Sequence, residues 1–485
     1  MLQSQSPLSE KPVDVRDLDA TELKKKLTER TLTSLEITKK YIDHLKQVNP
    51  AVNGIVEERY SNALKEAEVA DHLIAQGNEA GSLTGIPVTI KESFHVKGMH
   101  TTGGLHLRSR QKQSTDARIV EKLKSEGAII LGKSNTPSLC FCQETDNKLF
   151  GRTNNPWDVN RTPGGSSGGE AALIALGGAA AGIGSDIGGS IRFPAHFNGV
   201  IGFKSGRGRV SHAGSYPEVL HPLQQRMYGI GPITKSVRDA RMVYQAIADH
   251  EYDTRMNVHD FTIYTLPKGS AILHEFIEQK LEEMIDYLNK FFEVGIETPP
   301  FFNESASIWQ EVMSIDGGKS TAKEAGFSGT GSVITHFIKE KISGKSDYHV
   351  FLTWALIGAR LFKPGKKRIL EIERTIEKGD RQNEKFFDRN ILVLPVYHRT
   401  APFHGELYSE IFSIRKTFKK YMPFAAYANV WGLPSLTVPL GKDDGGLPFG
   451  VQFISKNGNE EALFQLGEII EKGFARFQRC RLHDS

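Results

Sequence analysis

Cysteine is scarce in this sequence, which has three cysteines among 485 residues. Three thiols cannot build the disulfide framework of a secreted domain, and the Cys140-x-Cys142 pair lacks the second half of a zinc ribbon. The amino-terminal segment is polar and has no apolar stretch of the kind found in secretory signals. These absences predict a cytoplasmic protein in a reducing compartment.

Long apolar runs and an excess of one charge are also missing. The longest run of small apolar residues, 171–184, is too short and too rich in glycine to cross a bilayer. The net charge is only +4, and no basic stripe with interleaved aromatic residues occurs, so nucleic acid is not an expected partner. Histidines show no close pairing with a third acidic ligand, so we expect neither a bound metal nor a cofactor.

Helical and strand patterns alternate along the chain. Apolar residues from Ile37 to Val48 recur at helical spacing after a candidate cap at Ser34, and Pro50 is expected to end that helix. Further helices are expected over 60–74, 170–176 and 460–472, and buried strands over 86–90, 128–131, 391–394 and 436–438. This alternation predicts an α/β fold.

The chain is expected to form a single domain, 1–485, with 1–20 as a loose lead-in. Residues 250–385 are more helical and richer in bulky apolar side chains, which predicts a helical insertion that lines or caps a substrate site. Within it, 350–362 is apolar and is followed by a basic cluster. Two interpretations remain open for this segment: a buried helix, or a helix that touches a membrane or admits an acyl chain.

Two clusters of glycine and serine, 164–169 and 184–190, bracket an alanine-rich helix. The first fits G-x-S-x-G, but the preceding residues, 154–163, are polar and contain two prolines, which excludes the strand that a nucleophile elbow follows. The small residues between the clusters allow Ser166 and Ser190 to meet in one site. The side-chain-poor backbone directly before Ser190 is typical of an oxyanion hole, which acyl transfer requires.

The sequence GGSSGGEAALIALGGAAAGIGSDIGGSIRFPA, at 164–195, closely resembles the signature of the amidase signature family of serine hydrolases. Supporting matches are LTGIPVTIKESFHVKG at 83–98, GKSN at 132–135, GRTNNP at 151–156, and GLPSLTVPLG and GLPFGVQ near the carboxyl end. The chain is most similar to enzymes of the fatty-acid amide hydrolase type, second branch. The resemblance implies an amidase signature fold, in which a mixed twisted β-sheet is flanked by helices.

The resemblance also implies a Ser-cisSer-Lys triad. Lys91 matches the basic residue, Ser166 the bridging serine at a cis peptide bond, and Ser190 the nucleophile, while Ser167 remains an alternative bridge. A serine hydroxyl needs a base, and Lys91 follows an apolar run where burial would favour the neutral amine that can act as one. The oxyanion hole is expected from Ile187, Gly188, Gly189 and the Ser190 amide, supported by Ser167, Asp186 and Arg192.

Several of these residues also have simpler interpretations. Asp186 could be only a turn acceptor, and Arg192 only a surface charge. Cys140 and Cys142 are predicted either to line the substrate pocket or to pack as buried thiols.

The expected function is hydrolysis of a linear carboxamide, fatty-acid amides among the candidates, to a carboxylate and an amine or ammonia through an acyl-enzyme. Two alternatives remain: the glutamine-hydrolysing subunit of a tRNA-dependent amidotransferase, and a non-catalytic binding protein on the same fold. The expected partner is a small-molecule amide. Peripheral contact with a membrane and assembly into a homodimer are further expectations.

Overall fold

A computed structural model describes residues 14–251, 253–270, 272–412 and 417–484, with only the backbone of 412 and 417. The described residues form one mixed sheet of eleven strands in the order β1-β3-β2-β4-β6-β5-β10-β11-β9-β7-β8. The strands are β1 (Ile55–Glu58), β2 (Pro87–Lys91), β3 (Ile129–Ser134), β4 (Ala181–Asp186), β5 (Ile201–Lys204), β6 (Gly229–Thr234), β7 (Thr262–Thr265), β8 (Val294–Ile296), β9 (Asn390–Pro395), β10 (Ser435–Lys442) and β11 (Pro448–Ile454).

Helices cover both faces of this sheet. They are α1 (Ala20–Thr28), α2 (Ser34–Val52), α3 (Tyr60–Ala75), α4 (Arg118–Ser125), α5 (Gly168–Leu176), α6 (Arg192–Asn198), α7 (Pro222–Gln225), α8 (Val237–Ile247), α9 (Glu275–Leu288), α10 (Ser305–Met313), α11 (Lys319–Glu324), α12 (Thr330–Ser343), α13 (Val350–Leu361), α14 (Lys366–Phe386), α15 (Glu406–Phe412), α16 (Thr417–Val430) and α17 (Glu460–Gly473). The predicted α/β fold with a mixed sheet is confirmed.

The sheet combines parallel and antiparallel pairs in a way that brings the two glycine-serine clusters close to Lys91. β2 runs parallel to both β3 and β4, whereas β4 pairs antiparallel with β6. β2 and β4 are buried along their whole length, which agrees with their apolar and small-residue sequences. Because parallel strands end at the same edge of a sheet, Lys91 at the end of β2 lies beside the loop that follows Asp186 at the end of β4.

The first long helix, α2, shows where the sequence patterns were accurate. The predicted face from Ile37 to Val48 is buried, and the cap is Thr33, one residue before the expected Ser34. The helix continues through Pro50 to Val52, so the expected stop is wrong. Proline removes one amide from the hydrogen-bond ladder, and burial of Val48 and Val52 on either side of it offsets this loss.

The region predicted as a helical insertion has a more mixed structure. β7 and β8 join the edge of the main sheet and α9 packs on the main core, whereas α10–α14 form the helical part. Of the predicted lead-in, 1–13 lies outside the described residues, and α1 begins at Ala20. None of the helices in the described part of the chain is both long and apolar enough to cross a membrane.

Candidate active site

Lys91 is the last residue of β2, and its side chain is fully buried. Its Nζ lies 2.6 Å from the Oγ of Ser166 and 3.1 Å from the Oγ of Ser185. Burial lowers the pKa of Lys91, while the nearby Cys140 and Asp186 oppose that shift. The amine is therefore placed to exchange a proton with Ser166, and its surroundings favour the neutral form.

Ser166 follows a cis peptide bond with Gly165. Its carbonyl oxygen accepts a hydrogen bond from the Thr136 hydroxyl at 3.0 Å. Glycine is needed at 165, because a Cβ there would lie 2.7 Å from the backbone nitrogen of Glu144. The backbone around Ser166 is thus fixed by neighbours on both sides.

Ser167, the alternative bridge, has a different environment. Its Oγ lies 3.3 Å from both the amide and the carbonyl oxygen of Ser185, and its own amide donates to the carbonyl of Ser190 at 3.1 Å. Because the hydroxyl that contacts Lys91 belongs to Ser166, the geometry favours Ser166 as the bridge. Ser167 instead ties the two glycine-serine loops together.

The loop before Ser190 presents backbone amides at the site. Within the described residues, no group accepts a hydrogen bond from the amides of Ile187, Gly188 or Ser190. The Gly189 amide, by contrast, donates to Asp186 at 2.8 Å. Three free amides beside a serine that is 5% exposed can stabilise a developing oxyanion.

Asp186 and Arg192 form a buried ion pair that holds this loop. The Arg192 Nη2 lies 3.0 Å from the carboxylate, and the two side chains, in the order Arg192 and Asp186, are 1% and 0% exposed. Asp186 also accepts the amides of Gly189 and Ile191. Burial alone would raise the pKa of Asp186, but the Arg192 guanidinium, together with Lys204 and a hydrogen bond from Asn429, outweighs burial and holds this pKa well below its usual range. Asp186 is therefore more than a turn acceptor, and Arg192 is not a surface charge.

Two cavities meet at Ser190, and both are lined by Cys140. The larger has a volume of about 630 Å³ and the smaller about 370 Å³. Cys140 is half-buried, with its Sγ 3.4 Å from the Thr136 hydroxyl, and Cys142 lines the larger cavity only. Burial raises the pKa of the Cys142 thiol well above its usual value. The structure thus places both cysteines in the walls of these cavities.

The two cavities differ in chemistry. The larger is lined mostly by apolar side chains, many of them from α10, α13 and α16, and its charged lining residues are Glu311, Lys363 and Lys419. The smaller is walled by the segment 216–222 and by α11, and it includes the acidic side chains Glu218, Asp316 and Glu324. The helical part of the 250–385 region therefore contributes to both cavities.

Residues outside the sequence-based prediction also belong to the site. Ser185, next to Asp186 in the signature, contacts Lys91. Glu170, fully buried in the first turn of α5, accepts a hydrogen bond from Thr89 at 2.5 Å, and burial raises its pKa to about 7. For Ser185 and Glu170 the available signal was a polar residue within a stretch of small and apolar ones. Trp309 of α10 donates to the Ile187 carbonyl, and no local pattern indicates this contact.

The described residues contain no group of three or more His, Cys, Asp and Glu side chains that could hold a metal ion. His100 pairs with Glu57 at 2.8 Å, and His95 lies 3.2 Å from the hydroxyl of Thr101. Both histidines have protein partners away from the serine loops.

Comparison with known proteins identifies relatives over nearly the whole chain. A family model described as Amidase matches residues 36–464. The chain is 31% identical to a glutamyl-tRNA(Gln) amidotransferase subunit of Caldanaerobacter subterraneus subsp. tengcongensis, covering 95% of this chain and 97% of that protein. It is also 31% identical to fatty-acid amide hydrolase 2-B of Danio rerio, covering 94% and 89%.

Solved structures share the same fold. A crystal structure of an amidase superposes with a TM-score of 0.78 at 26% identity, covering 94% of this chain and 100% of that one. A peptide amidase from Stenotrophomonas maltophilia has a TM-score of 0.78 at 23% identity, covering 96% and 99%. The second similarity concerns the fold alone.

Proposed function

Because the chain belongs to the amidase signature family and is a hydrolase acting on amide C–N bonds, we propose that it cleaves linear carboxamides with a hydrophobic acyl group. The observation that carries this proposal is the apolar cavity of about 630 Å³ that opens onto Ser190. A cavity of this size and polarity is suited to a hydrophobic small molecule. Ser190 is assigned as nucleophile, Ser166 as bridge and Lys91 as base.

The first half-reaction transfers the acyl group to the enzyme. Lys91 accepts a proton from Ser166 as Ser166 takes the proton of Ser190, whose Oγ attacks the amide carbonyl. The tetrahedral oxyanion receives hydrogen bonds from the free amides of Ile187, Gly188 and Ser190. Collapse breaks the C–N bond, and Ser166 gives a proton to the departing amine while the Lys91 ammonium returns its proton to Ser166, so Lys91 is neutral again. Gly189, expected among the donors, is assigned to holding the loop, because its amide donates to Asp186.

The second half-reaction consumes water. A water molecule attacks the acyl-enzyme, and one of its protons passes through Ser166 to Lys91. When the adduct collapses, that proton returns through Ser166 to the departing Ser190 oxygen, and the released carboxylic acid ionises to the carboxylate. Lysine can act as this base only when neutral, and an unperturbed lysine would need about 4 kcal/mol to reach that state at neutral pH. Full burial of Lys91 favours the neutral form and supports the assignment.

The amidotransferase alternative rests on sequence similarity. The glutamyl-tRNA(Gln) amidotransferase relative is as similar to this chain as the fatty-acid amide hydrolase, at 31% identity. Glutamine is small and carries charged groups, whereas the larger cavity is predominantly apolar. The cavity therefore favours hydrophobic amides, and glutamine hydrolysis is kept as the second candidate.

The experiment measures hydrolysis of acyl p-nitroanilides from two to eighteen carbons, with Ser190→Ala as the blank. We expect kcat/KM to rise with chain length until the cavity is filled. Release of ammonia from glutamine, with no turnover of long-chain anilides, would support the amidotransferase alternative. Failure of a fluorophosphonate to label the wild type would support a non-catalytic binding protein.

Peripheral membrane contact is proposed for the surface of α12 and α13. Ile342 of α12 is 81% exposed, and Leu361 of α13 is 69% exposed and is followed in the chain by Lys363, Lys366 and Lys367. Exposed apolar side chains beside basic residues suit an anionic lipid surface. We expect liposome flotation to be lost in Ile342→Asp plus Leu361→Asp and kept in Ile296→Asp, a control in β8 that is 70% exposed. Flotation that the double variant does not change would contradict the proposal.

A further inference from the structure

Trp309 links the helical region to the loop that precedes Ser190. It lies in α10, 122 residues along the chain from Ile187, and its Nε1 donates to the Ile187 carbonyl at 2.7 Å. The indole is only 8% exposed, so this hydrogen bond is shielded from water. The ring also covers Gly188 closely, because a Cβ at that position would lie 2.6 Å from its Cζ2 atom.

The contact fixes the orientation of one of the free amides. The Ile187 carbonyl and the Gly188 N–H belong to the same peptide unit, and in a trans peptide the two groups point to opposite sides. When the indole holds the carbonyl on one side, the N–H is directed to the other. The Gly188 N–H is one of the amides without an acceptor in the described chain.

The next peptide unit is held by a different pair of groups. The Gly188 carbonyl accepts from Gln143 Nε2 at 3.3 Å, and the Gly189 amide donates to Asp186 at 2.8 Å. The bond from Trp309 to the Ile187 carbonyl is shorter than the bond from Gln143 to the Gly188 carbonyl. Rotation of the Ile187–Gly188 peptide would break the bond to Trp309, because its own carbonyl accepts that bond.

Trp309 is also part of the wall of the larger cavity, together with Ser190 and Gly188. A group bound in that cavity would contact the same indole that holds the loop. Binding energy from a remote part of a substrate can in this way stabilise the catalytic geometry.

We infer that Trp309 is a positioning residue, which orients the Gly188 amide toward the oxyanion through its hydrogen bond to the Ile187 carbonyl. This inference rests on the proposed function, since it assigns a role within the same acyl transfer. It gives the helical region a part in catalysis in addition to its part in binding.

The test replaces the indole and follows kcat, KM and the affinity for a trifluoromethyl ketone that carries a long acyl chain. Trp309→Phe keeps an aromatic wall and removes the N–H donor. We expect kcat to fall by about tenfold to a hundredfold, which is no more than the fall in kcat that follows removal of an oxyanion donor itself. KM should change by less than about twofold, and affinity for the ketone, which forms a tetrahedral adduct, should fall in parallel with kcat/KM.

The matched control is Trp157→Phe. The Trp157 Nε1 also donates to a backbone carbonyl, that of Asn198 at 3.0 Å, but this indole lies outside both cavities. The control should keep the kcat of the wild type. If Trp309→Phe unfolds, benzothienylalanine at 309 keeps the shape of the indole and replaces its N–H by sulfur.

Three results separate the modes of failure. An unchanged kcat in a folded variant without the N–H, or a change in KM alone, would overturn the positioning role. A loss of kcat without a parallel loss of affinity for the ketone would overturn it as well. A wild type that neither hydrolyses amides nor reacts with a fluorophosphonate would instead refute the proposed function.

Discussion

Removal of Arg192 should show how far its ion pair with Asp186 stabilises the protein, and how far it supports the reactivity of Ser190. Arg192 contacts Asp186 through Nε at 3.1 Å and Nη2 at 3.0 Å, and it also donates to Gln452 and Asn429. In Arg192→Met the carboxylate would remain buried without its charge partner. Breaking a buried pair in this way costs about 3–5 kcal/mol.

The expected cost can be converted to a melting temperature. With an unfolding entropy of about 2 cal/mol/K per residue, a chain of this length loses about 4 °C in Tm for a loss of about 4 kcal/mol. The control is Arg389→Met, whose partner Asp260 lies 3.3 Å away; the two side chains, in the order Arg389 and Asp260, are 65% and 56% exposed. Since that pair is partly solvated, its loss should cost no more than about 1 kcal/mol.

A double variant tests whether the unpaired Asp186 carboxylate causes the loss of stability in Arg192→Met. Asp186→Asn plus Arg192→Met removes both charges, so we expect at least half of the lost stability to return. The rate of labelling by a fluorophosphonate should stay low, because Asp186 accepts the amides of both Gly189 and Ile191, and an asparagine offers only one acceptor oxygen. Recovery of wild-type labelling would refute the role of the carboxylate in holding the loop. A Tm no higher than that of the single variant would refute the unpaired charge as the cause.

Three further predictions concern the proton chemistry of the site. Ser190→Ala should abolish fluorophosphonate labelling. Ser166→Ala keeps the nucleophile but loses the proton relay, so labelling should slow by at least about a hundredfold. Equal labelling rates for Ser166→Ala and wild type would contradict the role of Ser166 as the bridge. Because burial lowers the pKa of Lys91 and only the neutral amine is a base, kcat/KM should rise with pH along a limb that disappears in Lys91→Met. Burial raises the pKa of Glu170 from 4.5 to about 7, so the folded state keeps a proton that the unfolded state has lost, and this stabilisation decreases as pH rises from 4.5 to 7. The stability of Glu170→Gln relative to wild type should therefore increase by up to about 3 kcal/mol from pH 4.5 to pH 7, as measured by denaturant titrations at these two pH values. A stability difference that does not depend on pH would contradict the raised pKa of Glu170.

The fold class and the arrangement of the serine loops could be predicted because their signals are local. β2 is a short apolar run that ends in Lys91, and the small residues from Gly164 to Ser190 leave few alternatives to closely packed backbone. Both features depend on residues that are close to one another in the sequence. The assignment of catalytic roles to Lys91, Ser166 and Ser190 remains a prediction that the geometry supports.

Other features depend on contacts that no local pattern contains. β7 and β8 lie in a region of helical composition, and they are strands because they extend the edge of a sheet that begins far earlier in the chain. α2 continues through Pro50 because Val48 and Val52 on either side of it are buried against the rest of the fold. Tertiary context decides both outcomes.

The burial of Arg192 shows the same limit of prediction from local sequence. Arg192 is polar by composition, and its burial depends on acceptors 237 and 260 residues away, Asn429 and Gln452. Asn429 also donates to Asp186 at 2.9 Å, so the carboxylate contacts α16 as well as its own loop. Sequence alone does not show that residues so far apart in the chain are in contact.

The loop before Ser190 is consequently held from separate parts of the chain. Asp186 fixes it from β4, Trp309 from α10, and Asn429 with Gln452 support the ion pair from the carboxyl-terminal third. An oxyanion hole is effective only when its donors are in place before charge develops, so each of these contacts bears on reactivity as well as on folding. Substitutions at Asn429 or Gln452 should therefore slow acyl transfer although neither residue lines the two cavities.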